Sequence, residues 1–267
     1  MKPTILAIDT SADETSIAVT QGRKVLSNVR FSQIALHQQY GGIYPTVAKR
    51  AHEEKFASVL ARALKRSKKQ SSDIDFIAVT YGPGLAPALD VGLRKAKELA
   101  TIWGVPIIPV NHMEGHIYSC YGQNSNGNPD REIVFPCIAF LVSGGHTEMV
   151  YMKDFGSYEI IGKTLDDAAG ECLDKAARML TGGGDPGGPI IEKLALSGDS
   201  TLYAIPIPML KSGDLNFSYS GIKTALLNLL KKIPEKEKEE NLQNIAATFQ
   251  KAVFDSLERK LVKAIVQ

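Results

Sequence analysis

The sequence predicts an α/β fold arranged as two lobes, and three observations carry that reading. Short apolar strand runs bounded by polar or glycine turns alternate with stretches of helical periodicity. The order of strand, turn and strand, first met at Thr4, starts again at Ile133, there around a glycine turn. At 267 residues and 44% apolar composition, the chain exceeds the usual single domain and can fill two cores. No sequence repeat accompanies the recurrence, so it is one of architecture alone.

Thr4 to Asp9 reads as a buried strand, Thr10 to Ser16 as a polar turn and Ile17 to Thr20 as a second strand. Gly22 opens the next turn and Lys24 to Ser32 forms a third strand, an antiparallel meander at the start of a mixed sheet. Pro45 to Arg66 has helical spacing. Phe76 to Thr80 is a strand, the Gly82-Pro83-Gly84 turn leads into a helix through Ala100, and Val105 to Val110 is a further strand. In the second half, strands at Ile133 to Val142 and Glu148 to Met152 flank a glycine turn. A strand-like run at Tyr158 to Ile161 and helices from Asp167 onward follow. The boundary is expected between residues 108 and 109. Asn244 to Val266 carries an apolar stripe at Ile245, Phe249, Val253, Leu257, Leu261 and Ile265 but no glycine cap or proline stop, so the second lobe reads as incomplete. Met179, Phe249 and Phe254 read as core.

A formal net charge of +2 gives no nucleic-acid signal by itself. The cluster from Lys65 to Lys69 reads as a solvated helix end with favourable dipole placement. Cys120, Cys137 and Cys172 are odd in number and form no Cys-x-x-Cys pair, which argues against a disulfide frame or zinc knuckle and fits a reducing cytoplasm. The longest apolar run, Ile133 to Val142, is too short to span a bilayer, and the start of the chain has no signal-peptide pattern.

The chemistry concentrates in two strings. In Asn111-His112-Met113-Glu114-Gly115-His116, a helix would place both imidazoles on one face, within reach of one divalent ion. Taken alone, such a pair would read as surface histidines. Close by, Leu141-Val142-Ser143-Gly144-Gly145-His146-Thr147 is a hairpin loop whose glycines let backbone N–H groups approach an anion, although a plain tight turn has the same composition. A metal that polarises an oxygen, next to a nucleotide phosphate, suggests group transfer from an activated nucleotide.

These strings occur in order with Asp13-Glu14-Thr15-Ser16, His37 with Gly41-Gly42-Ile43 and Pro45, Gly82-Pro83-Gly84-Leu85, Asp166-Asp167-Ala168-Ala169-Gly170-Glu171, Pro186-Gly187-Gly188-Pro189 and Phe217-Ser218-Tyr219-Ser220-Gly221-Ile222-Lys223-Thr224. Together they resemble the tRNA threonylcarbamoyladenosine transferases (TsaD/Kae-type), members of the actin-like ATPase and sugar-kinase superfamily. The likeness runs from Ile5 to about Lys260.

The resemblance implies two actin-like, ribonuclease H-like lobes with mixed sheets, spanning residues 1–108 and 109–267. It implies transfer of the L-threonylcarbamoyl group from threonylcarbamoyl-adenylate to N6 of adenosine 37 in tRNAs that read codons beginning with A. By the same resemblance His112 and His116 are two ligands of one divalent metal, iron(II) favoured and zinc the alternative. Leu141, Val142, Ser143, Gly144 and Gly145 hold the adenylate, with Asp174, Gly188 and Glu192 around its ribose and adenine. The implied partners are tRNA and either an inactive paralogue with a small ATPase, as in bacterial members, or a kinase-containing complex, as in archaeal ones. No membrane is implied.

The chain departs from the family pattern in places. Asp9-Thr10-Ser11-Ala12 stands where the family has Glu-Thr-Ser-Cys, so any role for the glutamate needs the shorter Asp9 to reach. Thr46 replaces a glutamate, Pro87 a glycine and Asp90 an apolar residue. The family's Gly-Gly-Val-x-x-Asn loop and its Thr-Asp-Asn segment, which carries the acidic metal ligand, have no counterpart before Gln267. A metallopeptidase is disfavoured because His-Glu-x-x-His is absent and Glu114 sits at the wrong offset. A non-catalytic scaffold subunit, or another carbamoyltransferase or kinase of the superfamily, remains the competing reading.

Overall fold

The computed structural model describes residues 2–183, 186–209 and 212–267. It divides into two compact units, Met1–Ile133 and Val134–Gln267.

The first unit is built on a five-stranded mixed sheet of β1 (Thr4–Asp9), β2 (Glu14–Gln21), β3 (Lys24–Ser32), β4 (Phe76–Gly82) and β5 (Ile107–Asn111), in the order β3-β2-β1-β4-β5. The meander β1-β2-β3 is antiparallel, while β4 and β5 join β1 in parallel. A short helix, α1 (Ile34–His37), leads to α2 (Pro45–Ser67), and α3 (Ala86–Trp103) connects β4 to β5. Alternation along the strands decides the two faces. Leu6 and Ile8 of β1, Ile17 and Val19 of β2, and Ile77 and Val79 of β4 point to one side, where Phe56, Val59 and Ala96 of the helices close a hydrophobic core. Burying each large side chain there contributes about 1.5–3 kcal/mol. The intervening residues Ala7, Asp9, Ser16, Ala18, Ala78 and Thr80 are small or polar and line an open cavity of about 450 Å³.

β5 straddles the division expected between residues 108 and 109. Because it pairs with β4, the strand and the helix after it, α4 (His112–Ser119), fall in the first unit.

The second unit carries three strands, β6 (Cys137–Val142), β7 (Thr147–Asp154) and β8 (Ser157–Lys163), all paired antiparallel among the described residues. β6 starts later than its apolar run suggests, since Pro136 has no N–H for the ladder. The helices are α5 (Ala169–Thr181), α6 (Gly187–Ala195), α7 (Ser220–Lys232), α8 (Glu235–Glu240) and α9 (Leu242–Val266). Their core joins Met149, Cys172, Ile191, Phe217, Tyr219, Leu226, Ile245, Phe249 and Val253. Phe254, expected in the core, is 48% exposed: one residue past Val253, it is turned about 100° away from the buried stripe. Met179 is partly buried against the core, and Ile265 at the end of the stripe is exposed. No helix among the described residues is long and apolar enough to cross a membrane.

Candidate functional site

In the first unit, Asn111 caps α4, its side-chain oxygen accepting from the Met113 and Glu114 amides at 2.9 and 3.4 Å. The helix that the histidine spacing requires is therefore formed, and it begins at the first histidine. The Nε2 atoms of His112 and His116 lie 3.1 Å apart. Two ligands of one ion, each about 2.0–2.1 Å from it, take this kind of separation. On its other side His112 meets Asp9, with Nδ1 3.3 Å from Oδ2, so Asp9 does reach the histidine pair. Both histidines and Asp9 border the cavity on the small-residue face of the sheet. Burial opposes the charged form of Asp9, but hydrogen bonds from His112 and from Ser11 outweigh it and hold the carboxyl below its usual range. Among the described residues no group of three His, Cys, Asp or Glu converges as a metal cage. What the geometry gives is two facing imidazole nitrogens with Asp9 behind His112.

Several motifs converge on the turn that carries Asp9. The Ser11 amide donates to Asp9 Oδ1 at 2.8 Å. Thr10 donates its hydroxyl to Ala88 O at 2.8 Å, and the Leu85 amide donates to Ser11 O at 2.7 Å. At Gly84, with φ of +156°, a Cβ would lie 2.5 Å from Ser11 O; the glycine turn is needed so that α3 can seat against this loop. Buried His52 donates through Nε2 to Ala12 O at 3.0 Å, which leaves Nδ1 to accept from the Thr15 hydroxyl at 2.7 Å. Burial lowers its pKa and favours this neutral form.

In the second unit, the β6–β7 hairpin turn is folded back by the Ser143 amide donating to His146 O at 2.8 Å, and the His146 amide donates to the Ser143 hydroxyl at 3.0 Å. The start of α5 is docked on this turn. Gly170 N donates to Ser143 O at 3.1 Å, and Ala169 N donates to Thr147 Oγ1 at 2.9 Å. A Cβ on Gly170 would lie 2.7 Å from Gly144 Cα. Gly144 and Gly145 have open space where a Cβ would point, and among the described residues no hydrogen bond uses their amides. Two available N–H donors beside a helix N-terminus form a place for an anion.

Asp174 follows Gly170 by one turn on the same face of α5 and accepts from Gly187 N, the first residue of α6, at 2.6 Å. The Pro186–Pro189 string begins this helix, with Pro186 at its N-cap. Gly187 is packed so tightly on Asp174 and Leu173 that no side chain fits, whereas Gly188 meets nothing closer than Leu173 at 3.9 Å. Glu192, one turn on, is exposed on the same face as Gly188. The hairpin loop, Asp174, Gly188 and Glu192 are thus linked within one unit.

Two acidic residues had no assigned role. Asp166 accepts from the hydroxyls of Ser218 and Ser220 at 2.5 and 2.7 Å and from the amides of Tyr219 and Ser220 at 2.7 and 3.2 Å. It ties the α7 entrance to the loop before α5, and Ser220, the first residue of α7, spends its hydroxyl here. Asp167 holds Lys175 at 2.6 Å and Lys223 at 3.3 Å. The clustering of hydroxyls in Ser218-Tyr219-Ser220 was the sequence signal for such a carboxylate.

The family model for TsaD, tRNA N6-adenosine threonylcarbamoyltransferase, matches residues 24–267. The chain is 47% identical over 264 residues to the tRNA N6-adenosine threonylcarbamoyltransferase of Desulfitobacterium hafniense (strain Y51), covering 98% of this chain and 75% of that relative. The chain belongs to the TsaD family. The enzyme of the same name from Clostridium botulinum (strain Hall / ATCC 3502 / NCTC 13319 / Type A) is 48% identical over 261 residues, with 97% and 75% coverage. That of Bacillus subtilis (strain 168) is 44% identical over 261 residues, with 97% and 73% coverage. As a TsaD-family chain it is a transferase of tRNA modification.

Proposed function

We propose that this TsaD-family protein transfers the L-threonylcarbamoyl group from threonylcarbamoyl-adenylate to N6 of adenosine 37 in tRNAs reading codons that begin with A. The observation that carries the reading is the facing pair of imidazole nitrogens, 3.1 Å apart, with Asp9 behind His112.

The adenine amine is a weak nucleophile because its lone pair is delocalised into the ring, so the acyl donor needs a good leaving group, which AMP provides. In the step, N6 attacks the carbamoyl carbon, the new C–N bond forms, the bond to the phosphate oxygen of AMP breaks and N6 gives up a proton. Two donors of the chain fit a divalent ion, the Nε2 atoms of His112 and His116, and iron(II) is favoured over zinc. When bound there, the ion supplies Lewis-acid stabilisation of the developing oxyanion. Asp9 fixes the His112 tautomer, keeping a proton on Nδ1 and the Nε2 lone pair available.

The second unit is assigned the adenylate. The Gly144 and Gly145 amides and the α5 N-terminus suit its phosphate, and Gly188, whose small size no internal contact demands, leaves room for a flat base. Asp174 and Glu192 are assigned to its ribose and adenine. The further assignments are lobes of the actin-like kind, a cytoplasmic location, and a complex with either an inactive paralogue and a small ATPase or a kinase-containing assembly. Incubation with threonylcarbamoyl-adenylate and tRNA, followed by mass spectrometry of the digested nucleosides, tests the activity; a chain that binds the adenylate with its partners present yet modifies no adenosine fails it.

A further inference from the structure

The segment between β3 and α2 presents Tyr40 and Tyr44 as a stacked pair, ring centroids 5.1 Å apart and planes 24° from parallel. Tyr40 and Tyr44 are 49% and 51% exposed, and Ile34, Leu36 and Ile43 in the same segment are also exposed. Such a surface would be expected on a floppy loop, yet this one is braced from beneath. The Tyr44 amide donates to His37 Nδ1 at 3.3 Å, so His37 Nε2 carries the proton and donates to Gln33 Oε1 at 3.0 Å. Gln33 is fully buried and its backbone amide donates to Asp13 O at 2.9 Å. Asp13 follows Ala12, whose carbonyl is held by His52, and the same turn carries Asp9 against His112. Within one unit, hydrogen bonds therefore tie the Tyr44 backbone to Asp13, and the short stretch of chain from Asp13 back to Asp9 leads to His112.

We propose that Tyr40 and Tyr44 form a stacking platform for a nucleobase of the tRNA substrate, a base near the target adenosine in its single-stranded loop. The inference rests on the functional reading above, since it takes that substrate as given. An adenine whose N6 is to react must leave its stack, and its neighbours then lose stacking partners. Sequence-tolerant stacking on aromatic rings is how single-stranded RNA loops are held. The buried His37–Gln33 brace gives the platform a fixed position relative to His112 and His116, which a surface that merely shielded the protein would not need. A protein partner on the same patch is the competing occupant.

The test uses the complete transferase reconstituted with its partners, comparing Y40A and Y44A with Y40F and Y44F. The platform predicts that each alanine variant raises KM for tRNA by roughly five- to a hundredfold, that phenylalanine restores it, and that binding of threonylcarbamoyl-adenylate is unchanged. Unchanged KM for tRNA overturns the inference. So does a fall in activity that tracks loss of a protein partner on gel filtration while KM for tRNA holds. If the wild-type protein transfers nothing, the functional reading fails separately, and an anticodon stem-loop carrying 2-aminopurine beside the target position still decides the platform. Fluorescence quenching by the wild type that the alanine variants lose supports it, and no quenching by the wild type overturns it.

Discussion

Asp9 Oδ2 lies 3.3 Å from His112 Nδ1, joining the end of the first strand to the start of α4 across 103 residues of chain (112 − 9). A carboxylate behind a ligand imidazole fixes its tautomer and raises its basicity. Asp9→Asn is expected to weaken divalent-metal affinity roughly 10- to 100-fold, since the amide carries no charge to support the imidazole. Metal titration followed by calorimetry checks this, and an affinity equal to wild type would remove Asp9 from the site.

Gly170 and Gly144 make opposite predictions from neighbouring positions. A Cβ at Gly170 would lie 2.7 Å from Ser143 O and Gly144 Cα, so Gly170→Ala must displace the hairpin turn, with an expected loss of about 1–3 kcal/mol in stability and weaker AMP binding. Gly144→Ala has open space within the protein and is expected to leave the melting temperature nearly unchanged while weakening AMP binding. Calorimetric AMP titration beside thermal melts separates the two; normal AMP affinity in Gly144→Ala would mean that the ligand does not approach there.

The histidine pair was legible in the sequence because its geometry is local, two residues four apart in a helix with an asparagine cap. The strands were legible too, through the alternation of Leu6 and Ile8 with Ala7 and Asp9. What the sequence did not reveal was long-range. Nothing near Asp9 announces His112, and nothing in Gly82-Pro83-Gly84-Leu85 announces that its glycine is shaped to receive Ser11. The sequence does not announce the α6 start, because prolines and glycines usually break helices, and only the packing of Gly187 on Asp174 explains the choice. Phe254 shows the reverse error, an aromatic side chain assigned inward where the helix phase turns it outward.

Acid should act on the second unit through Asp214. The Ser212 hydroxyl, then the Asn216 amide and side chain and Lys260, hold its carboxyl at about 2, below the ordinary 3.8. Because the folded value is depressed, this contribution to stability is fully present above 3.8 and is lost as pH falls through about 2. Asp214→Asn is expected to show a shallower fall of the urea midpoint over that window than wild type does. Identical slopes would show that the carboxylate does not couple to folding.

Burial pushes the Cys172 thiol up to about 12, whereas Cys120 is exposed. Iodoacetamide at neutral pH is expected to modify Cys120 readily and Cys172 only after denaturation. Peptide mass spectrometry of the native protein reads this directly, and early labelling of Cys172 would contradict the packing of α5 on the second core.

The central claim is that His112 and His116 hold the metal that assists transfer, and their alanine variants test it most directly. His116 is exposed and His112 borders a cavity, so neither substitution opens a core void, and both proteins should melt within a few degrees of wild type. Each variant, assayed with threonylcarbamoyl-adenylate, tRNA and the natural partners, is expected to lose at least about 100-fold in modified adenosine, equivalent to roughly 3 kcal/mol of barrier. Mass spectrometry of the digested tRNA makes the measurement. Wild-type levels of threonylcarbamoyladenosine from either variant would contradict the metal role and leave the pair as ordinary histidines on a helix face.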